Sequence, residues 1–324
     1  MSALHVAVDA RDLAHDWRGI ARYVRAVLDR FARRDDVVVT LVERGLFGQR
    51  APRDADVVWH PWNGTFFAAR VPAVVTFHDA VPFRFPADDP RKRRNEQGPW
   101  LRSAATARAF LANSQFTLAE VERYLGVAAA RQTVTYLAVE RDVFAPADDA
   151  AALPDGRPFV LFVGAAEPRK NLATLLAAHA RAFPDDAVAL AVAGGAPPAG
   201  ARVHALGALQ PAELARWYRG ARAVAVPSLY EGFGFPLLEA MACGTPAIAS
   251  RATSLIEVGG DGCRWIDDPL DVQAWSAALT DVVSDERLRV RLRVAGIAQA
   301  AKFSWDRCAE ETLAVLRRAA EEDR

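Results

Sequence analysis

Short apolar runs rich in Val, Leu, Ile and Ala alternate along the whole chain with stretches in which apolar residues return every three or four positions. Bounded by Gly, Pro, Asp or Asn, the short runs read as buried strands and the periodic stretches as helices. In the first half, strands are predicted at 4–8, 37–41, 56–59, 73–76, 109–113 and 132–135. A second series begins at 159–163 and continues at 188–192, 223–226 and 247–249. Strand–helix alternation of this kind specifies α/β architecture, with parallel sheets covered on both faces, here two doubly wound sheets in tandem. Between the two series the pattern lapses at 144–158, where Pro146, Pro154, Gly156 and Pro158 stand among aspartates. That composition suits a connection, and it places a boundary between a domain at 1–152 and another at 153–304. The last stretch, 305–324, carries Leu313, Val315 and Leu316 on a helical period among charged residues and predicts an amphipathic helix that must dock.

Composition narrows the function classes. The 324 residues are 52% hydrophobic and 25% charged, with 40 basic and 40 acidic side chains, so the chain is globular and lacks the cationic surplus of a general nucleic-acid binder. Any anion site must be local. Three cysteines, Cys243, Cys263 and Cys308, form neither a C-x-x-C pair nor a disulfide framework. The first ten residues lack a signal-peptide pattern, and the longest uncharged run, 187–201, is broken by Gly194, Gly195, Pro197 and Pro198. A cytoplasmic protein without a membrane span is expected.

The densest chemical signal follows the predicted strand 223–226. Glu231, Gly232, Phe233, Gly234, Phe235, Pro236, Leu237 and Glu239 form a glycine loop opening into a helix that Gly244 ends. The glycines permit close backbone approach, and Pro236 suits the first helical turn. A helix start offers N–H donors and partial positive charge, worth up to ~2 kcal/mol to a partly buried anion. A phosphate fits there. Carboxylates repel phosphate, so Glu231 and Glu239 are matched to hydroxyls, Glu239 to a ribose diol and Glu231 to a second sugar. Of the 40 basic residues only Lys92, Lys170 and Lys302 are lysines. Arg169 and Lys170 follow the strand 159–163 at its carboxyl end, where two cations can neutralise a departing diphosphate; losing such a donor raises a barrier by ~2.7–4 kcal/mol.

Two glutamates with seven residues between them, enclosing Gly232 to Pro236, resemble the signature of the retaining GT-B glycosyltransferases of family four. The resemblance extends through 163–171, Phe77-His78-Asp79, Asn113-Ser114 and the ending at 303–306. It implies two Rossmann-like domains facing across a cleft, with the C-terminal helix 305–324 crossing back to the first. The second domain would bind a nucleotide-diphosphate sugar through Gly164, Arg169, Lys170, Glu231, the 232–237 loop and Glu239, with Gly19 approaching from the first loop. His60, Asn63, His78 and Asp79 would serve a glycan or lipid-linked acceptor, and His78 would also sit by the reacting sugar. In a retaining reaction the leaving phosphate oxygen takes the acceptor proton, so His78 is not the base. Departures occur: Arg18 precedes a single Gly19 where relatives carry two glycines, and Leu137-Ala138-Val139-Glu140 replaces the Asn-Gly-Val-Asp often found.

Other signals read as structural. Asp54-Ala55-Asp56 matches a metal motif of another glycosyltransferase fold but precedes a strand, which suits a turn. Arg169, Lys170 and the helix start can do a metal's electrostatic work, so neither metal nor other cofactor is expected. The 232–237 loop lacks the third glycine of a dinucleotide fingerprint. Ser254 and Glu257 have the spacing of a capping box. Arg91, Lys92, Arg93 and Arg94 read equally as a solvated helix face and as a contact with an anionic membrane. The function expected is transfer of a hexose, mannose-type favoured, in bacterial surface polysaccharide synthesis. A nucleotide-sugar sensor and a nucleotide-sugar epimerase are the alternatives. Truncating Lys170 or Glu231 is expected to abolish transfer and leave thermal stability nearly intact.

Overall fold

The computed structural model describes residues 3–11, 13, 19–43, 49–198 and 200–321. The first-loop residues Trp17 and Arg18 lie outside them. Two compact units divide the chain, one holding the residues up to Leu137 together with those from Ser304 onward, the other Ala138–Phe303.

The first unit runs β1 (Leu4–Asp9), α1 (Gly19–Phe31), β2 (Val37–Val42), β3 (Val57–His60), β4 (Ala73–Phe77), α2 (Val81–Arg84), α3 (Pro90–Thr106), β5 (Ala109–Ala112), α4 (Gln115–Leu125) and β6 (Gln132–Val134). Its sheet has the order β2-β1-β3-β4-β5-β6, parallel throughout. Strands covered on both faces need continuous apolar side chains, and β3 and β4 are buried at every position. Phe77 stacks on Trp100 at 4.4 Å and on Phe110 at 5.8 Å beneath α3.

The second unit runs β7 (Phe159–Gly164), α5 (Leu172–Ala182), β8 (Ala189–Gly194), β9 (His204–Gly207), α6 (Pro211–Gly220), β10 (Ala223–Val226), α7 (Phe235–Ala242), β11 (Ala247–Ser250), α8 (Leu255–Gly259), β12 (Cys263–Ile266), α9 (Val272–Ser284) and α10 (Glu286–Ala300). Its parallel sheet has the order β12-β11-β10-β7-β8-β9. The sequence pattern predicted the central strands and missed β9 and β12, which are the two edges. An edge strand is only partly covered and needs no apolar run: β9 alternates half-buried with exposed residues, and β12 exposes Arg264.

The helix α11 (Trp305–Glu321) belongs to the first unit and lies against α1, β3, β4 and β5. It buries Trp305, Leu313 and Leu316, and Asp306 pairs with Arg30 of α1 at 2.7 Å. The boundary expected at 152/153 falls instead at 137/138. Proline and glycine mark the segment as a connection, but its hydrogen bonds decide where it belongs. Arg219 of α6 donates to the carbonyls of Val143 and Ala145, Ala151 N donates to Arg216 O, and Phe144 packs edge-on against Tyr218 at 6.2 Å.

Candidate functional site

In each sheet the chain proceeds outward in one direction and then returns to build the other side. Such a reversal leaves a crevice outside the carboxyl ends of the two strands flanking it. In the second unit those strands are β7 and β10, and the loops that follow them carry Lys170 and Glu231 respectively.

After β7 the chain makes a single helical turn, Pro168–Lys170, and α5 begins from Asn171, whose φ is 55°. Asn171 supports that left-handed position by using its whole amide. Its Nδ2 donates to Pro227 O at 3.1 Å and Pro269 O at 2.8 Å, and its Oδ1 accepts from Thr174 at 2.7 Å. Leu229 N adds a bond to Arg169 O at 2.8 Å. These contacts clamp the two loops together and bring the predicted charges into one cluster. Lys170 Nζ lies 2.6 Å from Glu231 Oε1, and Ser228 Oγ donates to the same oxygen at 2.8 Å. Glu231 Oε2 has Arg169 Nη1 at 3.6 Å, an ion-pair approach beyond hydrogen-bond range. Arg169 Nε sits 2.7 Å from Glu167 Oε2 without hydrogen-bond alignment. The side chains of Lys170 and Glu231 are only 12% and 8% exposed, so their charges act in a partly desolvated setting.

The glycine loop is strapped from behind. Thr253 Oγ1 accepts from Glu231 N at 3.2 Å, and Ser254 Oγ donates to Glu231 O at 2.9 Å and Phe233 O at 3.0 Å. Ser254 is therefore no capping box; it precedes α8 in helical backbone geometry and makes no cap bond. Gly234 starts α7 at φ 106°, and a Cβ there would lie 2.6 Å from Leu255 Cδ2. Phe233 is buried and meets Phe235 and Phe303 edge-on, while Pro236 stands in the first turn of α7 and Leu237 is fully buried. Glu239 does not lie on a solvated face: it is 2% exposed, and Tyr218 donates to its Oε2 at 2.8 Å. Gly164 ends β7 opposite Gly194 of β8. A Cβ on Gly194 would meet Gly164 O at 2.6 Å, and one on Gly195 would meet Ala166 N at 2.3 Å. That glycine pair, with Ser228, Thr253 and Ser254, was missed by sequence reasoning. Two adjacent glycines at a strand's carboxyl end were the available signal; a serine that acts by bonding to a distant backbone leaves none.

In the first unit the reversal lies between β1 and β3. Asp9, fully buried, closes it. Arg11 Nη2 and Gln49 Nε2 each donate to its carboxylate at 2.7 Å, and His60 Nδ1 lies at 3.3 Å. Burial pushes the Asp9 carboxyl up, but the bonds from His60, Arg11 and Gln49 and the Arg11 charge outweigh it and hold the group below the usual carboxylate range. His60 is fully buried, and its Nε2 has no hydrogen-bond partner among the described residues. Asn63 accepts from His78 N at 2.6 Å in left-handed geometry, and Asp79 accepts from Val81 N at 3.1 Å. His78 Nε2 lies 2.8 Å from Pro61 O, and Asn113 Nδ2 donates to His78 O at 2.9 Å. Burial lowers the His78 pKa to about 4, against the smaller upward pull of Pro61 O. At neutral pH the ring is uncharged, and donation from Nε2 to Pro61 makes Nδ1 the acceptor nitrogen. Gly19 opens α1, and Asp56 accepts from His5 N at 2.9 Å in the turn before β3.

All three cysteines are buried free thiols, each pushed up to about 12 by burial. On α3, Asp89 caps the start by accepting from Arg91 N at 2.6 Å; Arg91, Lys92 and Arg94 are exposed and Arg93 is half-buried. Among the described residues no helix is long and apolar enough to cross a membrane.

Comparison with known proteins shows the family. Residues 145–299 match the model for glycosyl transferases group 1, and residues 44–143 match that for glycosyltransferase family 4. An O-antigen chain mannosyltransferase B of Escherichia coli is 34% identical over 266 residues, covering 74% of this chain and 69% of that one. A D-inositol 3-phosphate glycosyltransferase of Segniliparus rotundus is 35% identical over 64% of this chain, which spans 52% of that relative's length. Among solved structures, Anabaena Alr3699/HepE in complex with UDP and glucose shares the fold, with a TM-score of 0.76 at 16% identity over 97% of this chain and all of that one. The chain belongs to the group 1 glycosyltransferases, enzymes built from two Rossmann-like α/β domains.

Proposed function

We propose that the protein transfers a hexose, mannose by preference, from a nucleotide-diphosphate sugar to a glycan or lipid-linked acceptor, with retention at the anomeric carbon, in bacterial surface polysaccharide synthesis. The observation that carries this reading is the unequal use of the Glu231 carboxylate. Its Oε1 is saturated by Lys170 and Ser228, and among the described residues its Oε2 has only Arg169, at 3.6 Å. An acid fixed by one oxygen offers the other to sugar hydroxyls, beside two cations suited to a diphosphate. Arg169, Lys170 and the 232–237 backbone would hold the diphosphate, with Gly164 and Gly19 permitting close approach, and Glu239 would bind the ribose while Tyr218 keeps its bond. His60, Asn63, His78 and Asp79 would serve the acceptor side, His78 accepting from a sugar hydroxyl at Nδ1. The mannosyl preference is supported by the named activity of the E. coli relative, and the nucleotide donor by the UDP and glucose of the Anabaena structure.

Transfer on this reading needs no metal, because Arg169 and Lys170 supply the charge. It takes place in the cytoplasm, with Arg91, Lys92, Arg93 and Arg94, near the exposed Phe85 and Leu101, touching the anionic inner membrane face. The test is a donor screen with GDP-, UDP- and dTDP-hexoses in EDTA, with and without anionic vesicles. Slow nucleotide release from one donor series, retained configuration in the product and sedimentation with the vesicles are expected. Release from no donor, or transfer that EDTA stops, would sink the reading; an altered donor sugar without nucleotide release would mark an epimerase.

A further inference from the structure

The strands of the second sheet are parallel, so its two ends are different surfaces. The carboxyl ends carry the Lys170 and Glu231 loops. Where β7, β10 and β11 begin, a cavity of about 470 Å³ is lined by the residues entering each strand and by one side of α10. A six-residue strand such as β7 spans roughly 20 Å, which separates this cavity from the donor loops.

Five arginines line it, Arg157, Arg219, Arg222, Arg289 and Arg293, against a single acid, Glu286. Three of them are engaged. Arg157 pairs with Asp155 at 2.7 Å and Asp186 at 2.5 Å, and Arg219 pairs with Asp149 at 2.6 Å. Arg289 donates to Val282 O and Val283 O at the end of α9. Carbonyls at a helix end attract cations, which accounts for that contact. It does not account for Arg222 and Arg293, whose guanidinium groups have no hydrogen-bond or ion-pair partner among the described residues. Gly244, at φ +75°, makes room for one of them: a Cβ there would lie 3.2 Å from Arg293 Nε.

We propose that this cavity is a second anion site, which binds a small phosphorylated solute through the forks of Arg222 and Arg293 with Arg289 adding charge. A planar guanidinium matches two phosphate oxygens at once, and two such groups with no internal acid to satisfy them favour a compact, multiply charged phosphate. The volume lies within the range of small-molecule sites. A lipid headgroup carries the same chemistry, so the test separates the two sources.

Inorganic pyrophosphate is titrated into the full chain at constant ionic strength, read by calorimetry. Because pyrophosphate can also enter the donor loops, the Lys170→Ala, Glu231→Gln double variant, whose folding is checked by its Tm, serves as the background. Saturable binding is expected to persist in this double variant and to weaken about tenfold or more when Arg222→Ala and Arg293→Ala are added, as loss of charge-assisted hydrogen bonds requires. The pair Arg222→Lys and Arg293→Lys keeps the charge and is expected to recover only part of the affinity. Three results would overturn the proposal: no saturable binding in the folded double-variant background, affinity unchanged by the two alanine substitutions, or arginine-dependent binding to anionic vesicles without any to pyrophosphate.

Discussion

The two sheets reverse their strand order in the same way, and each reversal holds a carboxylate, yet the two carboxylates are treated differently. Asp9, between β1 and β3, is fully buried, and both its oxygens are met at 2.7 Å, by Gln49 and Arg11. Glu231, between β7 and β10, has one oxygen that receives two hydrogen bonds and the other approached, among the described residues, only by Arg169 at 3.6 Å. A carboxylate whose lone pairs are filled by the protein's own donors organises structure, and one left half-satisfied beside cations can take on a ligand. The same crevice is thus filled in one unit and poised in the other.

The sharpest way to break this contrast is Lys170→Ala. Loss of a cation aimed at developing charge is expected to lower kcat by about 10²–10³, measured with saturating donor. The structure also revises the expectation that stability would be spared. Lys170 and Glu231 are a nearly buried pair, and removing Lys170 leaves Glu231 with only the Ser228 hydroxyl and the more distant Arg169 among the described residues, at a cost that approaches the about 3–5 kcal/mol of a broken buried pair. The double variant Lys170→Ala, Glu231→Gln removes the stray charge and is expected to recover much of the Tm while recovering no turnover. Recovery of turnover with Tm would place both residues in the scaffold, as Asp9 is.

On the other side of the comparison stands His78, held neutral by burial. Its pKa falls from 6.5 unfolded to about 4 folded, so between these values the unfolded chain binds the extra proton. Stability therefore rises with pH across this window and is lost as pH falls from 6.5 toward 4, by about 3 kcal/mol for a shift of this size. Urea midpoints between pH 4 and 7 should show that slope, and His78→Gln should flatten it. A slope unchanged in the variant would assign the effect to other groups.

What the sequence made legible follows what burial dictates. Central strands such as 223–226 are buried at all positions and announce themselves; the edges β9 and β12 are not and do not. Arg169, Lys170, Glu231 and Glu239 drew attention because their residue types would suit a diphosphate sugar, and the structure gathers the first three in one cluster. Illegible were the groups that act through partners distant in sequence. Ser254 lies 23 residues from the carbonyl of Glu231 that it holds, and its spacing to Glu257 imitates a helix cap. Likewise, composition made 144–158 a linker, although Arg219, 74 residues beyond Ala145, fixes the start of that segment to α6.

The smallest effect tests whether the straps differ in kind as the carboxylates do. Ser254, fully buried, holds the carbonyls of Glu231 and Phe233, and Asn113, 2% exposed, holds that of His78. Ser254→Ala leaves two buried carbonyls without that donor and should cost about 1–3 kcal/mol in urea unfolding, whereas Asn113→Ala leaves His78 O with Thr117 Oγ1 at 3.3 Å and should cost about 1 kcal/mol. Their kinetic consequences should part. Ser254→Ala loosens the backbone that aims the Glu231 carboxylate, so the donor KM is expected to rise several-fold, and Ser254→Thr, which restores the hydroxyl, should bring it back. Asn113→Ala leaves the Lys170–Glu231 cluster untouched and should leave the donor KM where it was. Equal shifts in donor KM would mean that the strap on Glu231 carries no more of donor binding than the strap on His78, and the poised state of the second crevice would need another cause.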